Sequence, residues 1–303
     1  MIYTLTFNPA LDYVVHLNGL ELGETNRSGG EELYFGGKGV NVSVILRELE
    51  IENTALGFIA GFTGEALEKS LRRQGVHTEF IRLEEGLTRI NVKLKAGVET
   101  EINAQGPAIG PGALKALFEK LGALEKGDTL VLAGSVPSSL PADIYEQILE
   151  RLKDRGVRFV VDATGRLLLN VLKYHPFLIK PNHRELEELV ERPLGTEDEI
   201  IAAAGELQQK GARNVLISRG KNGALLLDEE GRVHAMGAVG GKPVNTVGAG
   251  DSMVAGFLAG AERGYDFALR LGSAAGGATA CRPGLAKRAD ILTLLETTEN
   301  LLL

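Results

Sequence analysis

Apolar residues along this chain fall into two alternating patterns. Short runs such as Ile2 to Phe7, Thr54 to Ala60, Thr129 to Leu132, Arg158 to Asp162, Phe177 to Ile179 and Val215 to Ser218 have the length and composition of buried strands. Between them lie segments with apolar positions three and four apart, which predict helices. These cover 65–74, 112–121, a segment from about Pro141, one from His183, and 197–210 behind the capping box Thr196-Glu197-Asp198-Glu199. Residues 223–228 and 232–236 predict a hairpin. The last third predicts helices over 249–263, 265–280 and about 288–296. Strands alternating with helices imply a mostly parallel sheet covered on both faces, an α/β/α arrangement.

Two segments interrupt this alternation. Asn8-Pro9-Ala10-Leu11-Asp12 is expected to end the first strand, since proline cannot extend a central ladder. Tyr13 to Leu17 then predicts a strand, and 24–35 is polar and β-leaning. Arg89 to Lys95 alternates as a half-exposed strand does, and Glu99 to Ala104 returns after Ala96-Gly97. About 10–35 and 87–105 are therefore expected to form one small β-sheet, a lid inserted into a single domain spanning 1–303.

The chain has 303 residues, 44% hydrophobic and 24% charged, with net charge −7. That composition suits a large soluble core and gives no basic excess for nucleic acid. The single cysteine, Cys281, cannot form an internal disulfide and is expected to be a buried structural thiol in a reducing compartment. No apolar run approaches the ~18 residues of a membrane span, and the N-terminus shows no signal-peptide pattern. A cytoplasmic location is expected.

Chemistry concentrates at two glycine-rich helix starts. Asn245-Thr246-Val247-Gly248-Ala249-Gly250-Asp251-Ser252 runs into a helix carrying Val254, Phe257 and Leu258 on one face. Free N–H groups and the helix dipole at such a turn can receive an anion. A carboxylate there would repel phosphate, so Asp251 suits a base that takes a proton from an attacking hydroxyl. Taken alone, Gly-Ala-Gly-Asp also fits an ordinary acidic first turn. The second start is Gly36-Gly37-Lys38-Gly39-Val40-Asn41. It is not a Walker A loop, because Glu32 stands where that motif needs glycine. It is not a dinucleotide fingerprint, because Val42 replaces the third glycine. In parallel sheets ligands sit beyond the carboxyl ends of strands, so Ser135, Asp162, Asn182, Ser218 and the 246–251 turn are expected to share one edge.

Gly248-Ala249-Gly250-Asp251, Gly36-Gly37-Lys38-Gly39-Val40-Asn41 and the N-x-x-E stretch Asn182-His183-Arg184-Glu185 resemble, in order, the signatures of the ribokinase-like (PfkB) carbohydrate kinases. Asn8-Pro9-Ala10-Leu11-Asp12, Thr88-Arg89-Ile90-Asn91-Val92-Lys93 and Gly134-Ser135-Val136-Pro137 are similar to the branch of 1-phosphofructokinases and tagatose-6-phosphate kinases. The resemblance implies a three-layer ribokinase-like fold and ATP-dependent phosphorylation of the C6 hydroxyl of fructose 1-phosphate, or the same chemistry on tagatose 6-phosphate. It implies Asp251 as general base, with Gly248, Ala249 and Gly250 around the transferring phosphoryl group. Asp12, Gly37 and Asn41 would hold the sugar, and Lys38, Arg89, Arg27 and Ser135 would complete the sugar-phosphate site. Lys180, Asn182, Ser218, Gly220, Gly223 and Thr246 would serve ATP. Asn182 and Glu185 would act on Mg²⁺ through water. Locally, Asp12 also fits a turn cap, Lys38 a solvated lysine, and Asn182 with Glu185 an exposed helix start. A non-catalytic sugar-phosphate sensor on the same fold is the alternative of a different class. A homodimer through the lid sheets is a further expectation, since a small sheet has open edges.

Overall fold

The computed structural model describes residues 1–298; the last five residues of the expected 1–303 domain lie outside them. The main sheet holds ten strands, and the small sheet holds four. In chain order they are β1 (Ile2–Thr6), β2 (Ala10–His16), β3 (Gly30–Gly36), β4 (Asn53–Ala60), β5 (His77–Thr78), β6 (Ile81–Leu83), β7 (Arg89–Ala96), β8 (Val98–Ile102), β9 (Thr129–Ala133), β10 (Arg158–Asp162), β11 (Leu178–Ile179), β12 (Asn214–Ser218), β13 (Ala224–Leu227) and β14 (Val233–Met236). The main order is β14-β13-β12-β11-β10-β9-β1-β4-β5, with β6 also on β4. From β12 to β5 neighbouring strands are parallel, while β12-β13 and β13-β14 are antiparallel. The expected hairpin is the β13-β14 pair.

Helices are α1 (Lys38–Glu48), α2 (Gly61–Arg73), α3 (Pro111–Leu121), α4 (Ile144–Leu152), α5 (Gly165–Leu169), α6 (His183–Val190), α7 (Glu197–Gln209), α8 (Ala249–Gly260), α9 (Tyr265–Ala280) and α10 (Arg288–Thr297). The strands are apolar on both faces because both are covered. Leu130, Leu132, Phe159, Val161, Val215 and Ile217 enter a core with residues of α3 to α7. Their alternating neighbours Val131, Val160 and Leu216 enter a second core with α1, α8, α9 and α10. The period of two along each strand thus divides six residues to one side and three to the other without a polar interruption. No helix among the described residues is long and apolar enough to cross a membrane.

The small sheet has order β3-β2-β7-β8 and comes from the two segments expected to form it. One local expectation is corrected. Pro9 does break the chain, but β2 resumes at Ala10, so Asp12 lies inside a strand opposite Asn91 and Tyr34. Proline is excluded from a ladder, not from the residue before one. β5 and β6, of two and three residues, are too short to leave a periodic signal.

Helices α8 and α9 pack through glycine. A Cβ on Gly256 would stand 2.5 Å from the Leu271 carbonyl oxygen and 2.8 Å from Gly272 Cα. The small residues of α9 therefore serve close packing, which brings α8 and its N-terminal turn tightly into the body. Replacing Gly256 with alanine should destabilise the protein by about 1–3 kcal/mol through overpacking, measured by denaturant unfolding. Without the clash, the better helix propensity of alanine would instead stabilise by about 1 kcal/mol, so the sign of the shift decides.

Candidate active site

Strand ends and helix starts meet at one edge. Asp162 closes β10, Asn182 follows β11 and forms an isolated bridge to Ser218, and Ser218 closes β12. The two glycine-rich turns arrive at the same edge because α1 packs on α8. Gly248 is the N-cap of α8 with φ 80, and a Cβ there would meet Leu285 Cδ2 at 2.6 Å. Only glycine satisfies both the left-handed backbone and the space. Ala249 N donates to the Thr246 carbonyl at 3.2 Å, and the turn presents the following N–H groups, those of Gly250 and Asp251, without a covering side chain.

A cavity of about 840 Å³ spans this edge and the underside of the small sheet. Asp12, Gly37, Lys38, Asn41, Arg89, Lys180, Asn182, Glu185, Ser218, Gly220, Gly223, Thr246, Gly248, Ala249, Gly250 and Asp251 all line it. Two expected site residues do not. Arg27 is exposed in the 17–29 connection. β2 leaves the cavity at Ala10 and β3 returns to it at Gly36, so their connection lies at the opposite end of the ladder. Ser135 is exposed in the loop after β9, where Gly134 rather than Ser135 faces the Lys38 stem.

Asp251 is buried at 6% exposure, and Asn41 Nδ2 donates to its Oδ2 at 2.8 Å. Burial, then the nearby Asp162 charge, pushes its pKa up to about 6; Asn41, Lys38 and Lys180 act in the opposite direction. Asp162 is almost fully enclosed. Its Oδ1 accepts from Lys38 Nζ at 3.1 Å and lies 3.7 Å from Lys180 Nζ, while its Oδ2 is buried without a partner. Burial opposes the Lys38 charge, but Asp162 and Asp251 outweigh it and raise its pKa above the ordinary lysine value. A Cβ on Gly250 would lie 3.2 Å from Lys180 Nζ, so that ammonium sits against the α8 turn. Two cations and the N–H groups of the α8 turn thus converge beside two buried acids, Asp251 and Asp162, an arrangement suited to an anion transferred to a hydroxyl.

Arg89 is pulled below the usual guanidinium value by burial, with Asp12 acting against that fall. Its Nε donates to the Asn8 carbonyl at 3.1 Å, and it forms no salt bridge among the described residues. Asn182 and Glu185 form a reciprocal capping box on α6: Glu185 N donates to Asn182 Oδ1 at 2.9 Å, and Asn182 N to Glu185 Oε2 at 2.7 Å. Glu185 Oε1 is left over from that exchange. Among the described residues no group of three or more His, Cys, Asp or Glu is clustered as a metal site.

Several lining residues carry no expected role. Asp162 was visible as a strand end, but its partners Lys38 and Lys180 belong to other elements. Asn91 lines the cavity and donates to Asp12 Oδ1 at 2.8 Å. The stretch Gly237-Ala238-Val239-Gly240-Gly241 lines its far side, where the glycine cluster was the available signal. Cys281, expected to be buried, is half-buried at that side and its Sγ accepts from Gly241 N at 3.2 Å.

The profile of the pfkB family carbohydrate kinases matches residues 5–291. The chain is 46% identical over 282 residues to a 1-phosphofructokinase of Bacillus subtilis (strain 168), covering 92% of each. It is 40% identical over 304 residues to a D-tagatose-1-phosphate kinase of Bacillus licheniformis, covering 99% of this chain and 98% of the relative. Among solved structures, phosphofructokinase-2 of Escherichia coli in complex with substrates and products superposes with TM-score 0.92 at 29% identity, covering 99% of both chains. With its mostly parallel sheet, separate four-stranded sheet and these matches, the chain belongs to the pfkB family of carbohydrate kinases and has their ribokinase-like fold.

Proposed function

We propose that this kinase transfers the γ-phosphoryl group of ATP to the C6 hydroxyl of fructose 1-phosphate, forming fructose 1,6-bisphosphate. The observation that carries this reading is the buried Asp251 carboxylate, held by Asn41 at 2.8 Å inside the N-terminal turn of α8. Its raised pKa of about 6 leaves it ionised at neutral pH yet basic enough to take the hydroxyl proton. The hydroxyl oxygen attacks the γ-phosphorus, ADP leaves, and the proton passes to Asp251. The N–H groups of the Gly248–Gly250 turn hold the developing phosphoryl charge, aided by Lys180. Asp12 and Asn41 bind ring hydroxyls. Arg89 and Lys38 hold the phosphate already on the sugar, with the Arg89 guanidinium, which forms no salt bridge among the described residues, as the principal contact.

Ser218, Gly220, Gly223 and Thr246 line the cavity, and in this reading they hold ATP. The oxygens available there fit Mg²⁺, a hard cation that keeps several waters and needs few protein ligands. Glu185 Oε1 and the orphaned Asp162 Oδ2 are free to accept from such waters, with Asn182 fixing the Glu185 carboxylate. When bound, the ion would offset charge on the β- and γ-phosphates.

D-tagatose 1-phosphate is a second reading, favoured by the match to the B. licheniformis kinase along nearly the whole chain. ADP release would be followed with fructose 1-phosphate, tagatose 1-phosphate, tagatose 6-phosphate and fructose 6-phosphate in parallel. Preference for fructose 1-phosphate is expected; silence with all four, in a protein that binds them, would favour a sensor. Asp251→Ala should cut kcat by roughly 10²–10⁴-fold, and near-normal turnover would remove Asp251 from the reaction.

The acid limb of kcat/KM should fall as pH drops through about 6, the value to which Asp251 is raised, because the protonated carboxyl cannot act as base. The Asn41 hydrogen bond favours the ionised form. Asn41→Leu should therefore move that limb to higher pH, and a shift to lower pH would contradict the assignment.

The small sheet turns an apolar face outward: Tyr13, Leu33, Ile90, Val98 and Ile102 are exposed, Leu33 by 48% and Ile102 by 58%. These alternate with cavity-side residues, and they support a homodimer formed by two such sheets face to face. Leu33→Glu should shift the protein from dimer to monomer in sedimentation equilibrium; a monomeric wild type would refute the dimer.

A further inference from the structure

The hydroxyl-binding role proposed for Asp12 depends on which way its carboxylate plane faces. The terminal torsion of an aspartate is broad, so the backbone of β2 does not fix that plane. The neighbouring strand β7 does. β2 and β7 are parallel, with Asp12 opposite Asn91 and Val14 opposite Lys93. Asn91 Nδ2 donates to Asp12 Oδ1 at 2.8 Å. Lys93 Nζ stands 3.7 Å from Asp12 Oδ2 and 3.4 Å from Glu101 Oε1. Each carboxylate oxygen thus has its own neighbour, two residues apart on one strand.

Stability alone does not account for this pair. Asn91 is 7% and Lys93 8% exposed, and burying an ammonium between two carboxylates gains little over an apolar side chain of similar volume. Asp12 also stands in a wall. It lines the large cavity with Asn91, and on its other side a smaller pocket of about 260 Å³ with Lys93. A carboxylate held from both compartments keeps a fixed set of lone pairs for the ligand.

We infer that Asn91 and Lys93 are positioning residues that determine sugar specificity: by locking the Asp12 carboxylate they select the configuration of the ring hydroxyl it receives. Fructose and tagatose differ only at C4, where the hydroxyl is trans to that on C3 in one furanose and cis in the other. A carboxylate fixed in one plane accepts one of these arrangements better; a freely turning one accepts both. This inference rests on the binding role proposed for Asp12.

The test compares fructose 1-phosphate with tagatose 1-phosphate by titration calorimetry and by kcat/KM. The proteins are wild type, Asn91→Leu, Lys93→Met, Lys93→Arg, Asp12→Ala and the doubles of the first two variants with Asp12→Ala. Asn91→Leu should reduce the ratio between the two sugars by about tenfold, the weight of one hydrogen bond, and Lys93→Met, which removes the ion pair at 3.7 Å, by about threefold, both chiefly through KM. Lys93→Arg, which keeps the charge, should retain most of the ratio. In the Asp12→Ala background the two substitutions should change nothing further, because they act through the missing carboxylate. An unchanged ratio in variants that still bind ADP would overturn the inference, as would losses that add fully to that of Asp12→Ala. If Asn91→Leu no longer binds ADP, Lys93→Met and its double carry the test. A wild type that binds the two sugars unequally but transfers no phosphate would retire the kinase reaction proposed above and leave the specificity pair to stand or fall on binding.

Discussion

A carboxylate buried in an anion-binding turn is costly to keep ionised, and much of the surrounding structure offsets that cost. Asp251 is largely buried, and Asp162 adds a second negative charge nearby. What prevents simple neutralisation is the donor from Asn41 and the two ammonium groups of Lys38 and Lys180. These three side chains come from α1 and from the end of β11, so the acid works only if the two helix starts and the strand edge are assembled together. The close α8–α9 packing at Gly256 and the left-handed cap at Gly248 are the backbone conditions for that assembly.

The small sheet solves a different problem. A small sheet has open edges and one face left to cover, and this one turns its other face to the cavities. Along β7 the alternation is strict: Arg89, Asn91, Lys93 and Lys95 on one side, Ile90, Val92, Leu94 and Ala96 on the other. The polar side meets the cavities, and the apolar side is left outward beyond Leu11, which is anchored in the main body. A second copy on that outer face would supply the missing burial while leaving the inner face free for the sugar.

Much of the architecture was legible because it rests on local periodicity. Short continuous apolar runs such as Val215 to Ile217 have the length and composition of strands covered twice, and the Thr196 capping box marked its helix start. The misplaced features share a cause: they depend on direction or distance in space. Arg27 offered a charge, but not the knowledge that its loop sits at the far end of a ladder. Asp12 followed a proline, and whether the chain ends a strand there or starts a new one in another sheet is decided by the Asn91 and Tyr34 partners. Asp162 and Lys38 meet across 124 positions of sequence, a contact that no window of residues contains.

Lys38 and Lys180 show how tightly the two halves of the chemistry are coupled. Their charges lower the proton affinity of Asp251, yet both are themselves drawn toward Asp162. An incoming phosphate would compete with Asp162 for them. As the ammonium groups turn toward the new anion, Asp162 loses its counter-charges, and its orphaned Oδ2 becomes the oxygen most in need of a cation. In this reading, phosphate held by the two lysines and a cation held at Asp162 would therefore favour one another.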